Sequence, residues 1–140
     1  MSVEFIDTNI LVYAHDSSAD KKRKRSASLL NSLIAKHNMV LSIQVLMELY
    51  VTLTQKIPNP IPAAQALEIV QDLGALNVFC PDTQDVLEAA RLSIQHQLSF
   101  WDAMIVRAAI AQEATVLWTE DMNHGQVYEG VQIRNPFLSI

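Results

Sequence analysis

Glycine is scarce in this chain: three residues in 140, alongside five prolines. So few chain breakers leave little room for long linkers, and no internal repeat or low-complexity tract is present. Cysteine is scarcer still. The single Cys80 cannot close an internal disulfide and suits a reducing compartment. With four isolated histidines, it offers no zinc-ligand spacing. A glycine-rich phosphate loop is missing, which counts against a nucleotide-binding role. Apolar runs are interrupted well short of the ~20 residues needed to span a bilayer. The N-terminus enters a strand-like run containing Glu4 at once, unlike a signal peptide. These absences predict a cytoplasmic protein without a membrane segment.

Charge is also sparse, at 18% of residues, whereas half the chain is hydrophobic. That balance excludes wholesale disorder and predicts one domain over residues 1–140, large enough to bury a single core. Net charge is −5, from 15 acids and 10 bases. A simple phosphate-binding module is usually basic, but the average conceals a pattern. Five of the ten bases form one run, Lys21-Lys22-Arg23-Lys24-Arg25, while the acids are scattered. Such a run is more often a solvated helix face than a nucleic-acid contact, so it decides nothing by itself.

Short apolar runs alternate with longer helical patterns. Strands are predicted at Val3–Ile6, Met39–Leu41, Asn77–Cys80, Thr115–Thr119 and Val131–Arg134. Helices are predicted from Asp20 to Lys36, from a Ser42 cap to about Lys56, and from Pro62 to about Leu73. Two more run from an Asp82 cap to about His96 and from a Ser99 cap to about Glu113. Strands separated by helices imply parallel crossovers, hence a three-layer α/β/α sandwich with a mainly parallel sheet of about five strands. In such sheets the functional crevice lies beyond the carboxyl ends of the strands, and Asp7 and Asp121 both fall there.

Four acids stand out. Asp7 ends the run Val3-Glu4-Phe5-Ile6, and Asp121 follows Thr115-Val116-Leu117-Trp118-Thr119. Glu48 and Asp102 lie in strongly apolar helical stretches with no basic residue within four positions. Carboxylates in such places are costly to bury unless paired or metal-bound. Each also has a plain structural reading. Asp7 can cap the following helix, and Asp121 can be a turn residue. Glu48 belongs to a stripe with Gln44 and Thr52 that can face water or line a cleft. Asp102, at the third position after the Ser99 cap, gains from the helix dipole. Whether Glu120 or Asp121 turns inward stays open at this level. Asp16, Asp20, Asp72, Asp85, Glu88 and Glu129 sit in more polar surroundings and are expected at the surface.

Taken in order, five segments resemble the PIN-domain family, and within it the VapC-like toxin ribonucleases. They are Phe5 to Ala14, Ser42 to Glu48, Phe100 to Ile105, Leu117 to Met122 and Gly130 to Phe137. The resemblance implies a Rossmann-like sandwich carrying Asp7, Glu48, Asp102 and Asp121 around Mg²⁺ or Mn²⁺. It favours Asp121 over Glu120 as the fourth acid, with Thr8, Asn9 and Thr119 in support. Met47 departs from the pattern, since many relatives carry Asn there. The implied activity is endonucleolytic RNA cleavage leaving a 5′-phosphate, and the implied partners are a second copy of the chain and a small antitoxin.

The residue types suit that chemistry. Mg²⁺ prefers oxygen ligands, often one or two carboxylates plus waters, and can activate water against a phosphodiester. Rival readings fit less well. Phosphoryl transfer through an aspartyl intermediate typically needs a second Asp two residues on, where this chain has Asn9. A receiver-type phosphoacceptor would follow a middle strand, and Cys80-Pro81-Asp82 is a poor match. A catalytically silent interaction module and a housekeeping RNA-processing nuclease are the remaining alternatives.

Overall fold

The computed structural model describes residues 2–139. Strand β1 (Val3–Ile6) leads into helices α1 (Thr8–His15) and α2 (Lys21–Ala35), then into β2 (Met39–Ser42). Helices α3 (Ile43–Val51) and α4 (Ala63–Gly74) precede β3 (Asn77–Phe79). Helices α5 (Thr83–His96) and α6 (Phe100–Ala111) lead to β4 (Ala114–Trp118), and β5 (Val127–Tyr128) and β6 (Val131–Arg134) close the order.

The sheet runs β3-β2-β1-β4-β6-β5, parallel except where β5 pairs with β6. Its central strands are apolar because both faces are covered. Phe5, Ile6, Leu41, Leu117 and Ile133 are fully buried. The β1-to-β2 and β2-to-β3 crossovers step one way along the sheet, and the β3-to-β4 crossover steps back. Right-handed connections therefore put α1 to α4 on one face and α5 with α6 on the other. That is the three-layer sandwich expected from the sequence.

The sixth strand was not expected. Glu129 (φ 46°) and Gly130 (φ 88°) make a two-residue turn with both residues left-handed, the geometry that matches the twist of a tight hairpin. Two residues of strand are too short to register as a periodic pattern. The second difference lies after α3. The predicted helix to Lys56 changes at Thr52 into a π-helical turn (Thr52–Lys56), where the Ile57 amide bonds back to Thr52 O at 3.2 Å. Pro58 then prevents further helix.

Two acids expected at the surface are buried. Asp85 forms a reciprocal capping box with Asp82 at the start of α5 and pairs with Arg107 of α6 at 2.9 Å. Asp16 caps the end of α1 and accepts from the Ser18 amide and hydroxyl. Each satisfies its carboxylate locally, which makes burial tolerable. Among the described residues, no helix is long and apolar enough to cross a membrane.

Candidate active site

The strand order reverses at β1, which pairs with β2 on one side and β4 on the other. Asp7 lies immediately beyond β1 and Thr119 immediately beyond β4, so both sit at the switch point where open α/β sheets form their crevice. Backbone pairing continues past the strands: the Asp7 amide donates to Trp118 O at 3.0 Å, and the Thr119 amide donates to Arg134 O at 3.0 Å.

The side chains follow from that register. Asp7, only 4% exposed, caps α1 by accepting from the Thr8 amide at 2.7 Å, and accepts the Thr119 hydroxyl at 2.8 Å. The Thr8 hydroxyl, one residue on, donates to Glu48 at 2.8 Å and so ties α1 to α3. Asn9 donates to Asp121 at 2.8 Å, and its side-chain oxygen accepts the Glu120 amide at 3.4 Å. Asp121 also donates its amide to the Thr119 hydroxyl at 3.1 Å. Asp-Thr-Asn is therefore three connected anchors: Thr8 reaches α3, while Asp7 and Asn9 both hold the segment after β4.

Ser42 caps α3 and Ser99 caps α6 as expected, and these caps place Glu48 and Asp102 toward the same opening. A cleft of about 650 Å³ is lined by all four acids and by the whole Gln44, Glu48, Thr52 stripe. The cleft-lining reading of that stripe holds. The rest of α3 is less enclosed than its apolar sequence suggested, since Met47 is 59% exposed.

Asp7 and Asp102 both feel the charges of Glu48 and Asp121. Burial, foremost, pushes the Asp7 carboxyl up from 3.8 to about 7; the Thr119 and Thr8 hydrogen bonds oppose this, while the charges of Asp121 and Glu48 add to it. Asp102 is raised too, by desolvation first and by the same two charges. An all-oxygen set of carboxylates, one of them with its ionisation disfavoured by burial, fits a hard divalent cation. Among the described residues, no three are already gathered into a coordinating group. Oxygens of Asp7, Glu48 and Asp121 are instead engaged by Thr8, Asn9 and Thr119, an arrangement compatible with a water-rich site that needs few direct carboxylates.

Glu120 does not join the four. It turns to Tyr13, whose hydroxyl donates to it, and to Lys22, 2.9 Å away. Lys22 also lies 4.8 Å from the Tyr13 ring centre and 5.3 Å from that of Phe137. One residue of the basic run is thus absorbed into the fold, and Arg25 is held against Pro136 O at 3.0 Å. Lys21, Arg23 and Lys24 remain exposed. Gln44 was named only as part of a stripe, but it donates to Trp101 O at 3.2 Å and joins the two helices that carry Glu48 and Asp102. That contact spans 57 residues and has no local sequence signature.

The family model described as PIN domain matches residues 5–130. No curated protein matches the chain. Among solved structures, a toxin–antitoxin complex from Klebsiella pneumoniae superposes with TM-score 0.72 at 20% identity, covering 97% of this chain and 98% of the other. VapC20 of Mycobacterium tuberculosis, a sarcin–ricin-loop-cleaving toxin, gives 0.69 at 18% identity, covering 84% and 91%. VapBC2 of Rickettsia felis, bound to a promoter DNA fragment, gives 0.66 at 22% identity, covering 95% and 98%. At these identities the likeness is one of fold.

Proposed function

This chain belongs to the PIN-domain family, and from that premise we propose that it is a metal-dependent endoribonuclease and the toxin of a VapBC-type toxin–antitoxin pair. The observation that carries the reading is the convergence of Asp7, Glu48, Asp102 and Asp121 on one cleft at the sheet's switch point. Fold neighbours that are toxin–antitoxin complexes support the second half.

Asp7, Glu48, Asp102 and Asp121 would hold Mg²⁺ or Mn²⁺, some directly and others through water. When bound, the ion lowers the pKa of a water and offsets charge building on the phosphate. The chain's own part is orientation. Thr119 and the Thr8 amide fix both oxygens of Asp7, the Thr8 hydroxyl aims Glu48, and Asn9 holds Asp121. These supports keep repelling carboxylates from swinging away, so little reorganisation is left for the reaction. Glu120, latched by Lys22 and Tyr13, braces the turn carrying Asp121 from outside the cleft.

Partners in this reading are RNA, a second copy of the chain and a small antitoxin, in a reducing cytoplasm that suits the free Cys80. Exposed apolar side chains on α3 and α4, including Met47, Tyr50 and Leu67, support a protein interface.

The test is to sequence RNA ends after purified protein meets total cellular RNA with Mg²⁺ or Mn²⁺, beside Asp7→Asn. Discrete new 5′ ends are expected, lost with EDTA and reduced about 10²-fold or more in the variant. Folded, antitoxin-free protein that cuts nothing would sink the assignment and favour a silent interaction module.

A further inference from the structure

The cleft holds two features that the acids do not explain. The first is Trp101. It stands directly before Asp102 in α6, lines the cleft and remains 64% exposed. A scattered surface apolar residue is ordinary, but this one is held in place. Its ring meets Phe100 edge-on, with centroids 5.2 Å apart and planes at 74°. Its carbonyl is fixed by Gln44, the neighbour of Glu48 one turn away on α3. The indole is therefore backed by Phe100 on its own helix and its backbone is tied to the facing one, yet most of the ring stays uncovered.

The second feature is Lys56. It is exposed and is the sole cationic side chain among the described residues lining a cleft otherwise rich in carboxylates. It ends the π-helical turn Thr52–Lys56, a local widening of the helix that often accompanies functional positions. Carboxylates alone would repel a polyanion. A cationic side chain in the same cleft gives a phosphate a favourable partner.

We propose that Trp101 and Lys56 form a track for single-stranded RNA, with the Trp101 indole stacking on an unpaired base beside the scissile phosphate and Lys56 holding a neighbouring backbone phosphate. This rests on the endoribonuclease reading and deepens it, because a stacking platform requires a base that is out of a duplex. Trp101 and Lys56 are then the residues that engage an unpaired loop or strand at this cleft. Trp101 is a positioning residue, acting on the base and leaving the reacting atoms to the acids.

The test uses Asp7→Asn protein with Mg²⁺, so that RNA stays whole. The probe is a short RNA spanning a site mapped in total RNA, offered single-stranded or annealed to its complement. Single-strand affinity should exceed duplex affinity. Adding Trp101→Ala should cost roughly 5- to 100-fold in single-strand affinity, the range of one base–aromatic stack, and Trp101→Phe should recover most of it. Adding Lys56→Met should weaken binding and flatten the salt dependence by about 0.7 in log–log slope, one phosphate contact on a single strand. Circular dichroism of each variant confirms folding. Equal binding of duplex and single strand overturns the proposal, as does unchanged affinity in Trp101→Ala. Trp101→Ala that spares RNA but breaks self-association in light scattering overturns it too, reassigning the indole to a protein contact. If the unmodified protein cuts total RNA while these results fail, only the track is wrong. If it cuts no RNA, the enzyme reading itself has failed.

Discussion

At Asp7 the local and the functional demands oppose each other. The residue caps α1, and caps tolerate carboxylates well, but here burial and the charges of Asp121 and Glu48 raise its carboxyl to about 7. A folded pKa above the unfolded value of 3.8 means that folding favours the protonated form. This contribution to stability is fully present below about pH 4 and is lost as pH rises through about 7, up to about 4 kcal/mol. Metal-free protein should therefore melt at lower temperature at about pH 8 than at about pH 5. Asp7→Asn should raise the metal-free melting temperature at about pH 8 and leave it little changed at about pH 4. Calorimetric melts at the two pH values check this; an Asn variant that melts lower at both would show that the hydrogen bonds outweigh the desolvation. A divalent cation should raise the wild-type melting temperature most at the higher pH, since ligation needs the ionised carboxylate. Much of this residue's placement was legible, because an acid just after an apolar strand falls where open α/β sheets form their crevice. The roles of Thr8, Asn9 and Thr119 as separate anchors were not, since they depend on partners up to 112 residues away.

At the scale of elements, helix ends do most of the positioning. Ser42, Asp82 and Ser99 were readable as caps because an N-cap signal is local: the acceptor and the amide it serves are three residues apart. Asp85 was misread as a surface charge for the opposite reason. Its partner Arg107 lies 22 residues on, in the helix packed beside it. The amide of Asp82 and then the Arg107 guanidinium hold the Asp85 carboxyl below the usual carboxylate range. A depressed folded pKa stabilises above the unfolded value and is lost as pH falls below about 4. Asp85→Ala removes one side of the capping box and leaves Arg107 unpaired between α5 and α6. It should lower stability by roughly 1–3 kcal/mol at neutral pH, and the loss should shrink on acidification. Because Asp85 does not line the cleft, cleavage per folded molecule should not change. Denaturant midpoints at two pH values, with activity assayed well below the midpoint, separate the two effects. A fall in activity without a fall in stability would mean that α5 reaches the site by a route other than packing.

For the whole molecule, the sheet and the site are built from different material. The core is held by fully buried side chains such as Phe5, Ile6, Leu41, Leu117 and Ile133, none of which can bind a cation. Asp7 and Asp121 lie beyond strand ends, as the alternation of strands and helices already implied, whereas the approach of Glu48 and Asp102 from α3 and α6 was implied only by the family resemblance. On the endoribonuclease reading, the net charge of −5 works against a polyanion at long range, so substrate capture would depend on the few groups inside the cleft and on a cation masking its acids. The consequence is a sharp division between folding and activity. EDTA should abolish cleavage while far-ultraviolet circular dichroism stays unchanged, unlike small metal-nucleated domains that unfold when stripped. Returning Mg²⁺ or Mn²⁺ should restore cleavage and raise the melting temperature with cation concentration, by the equivalent of about 2.7 kcal/mol at a hundredfold excess over Kd. Asp102→Asn should weaken both responses together at similar fold. Cleavage that survives EDTA would disprove the metal-dependent mechanism, and collapse of the fold in EDTA would show that the site holds the sheet together after all.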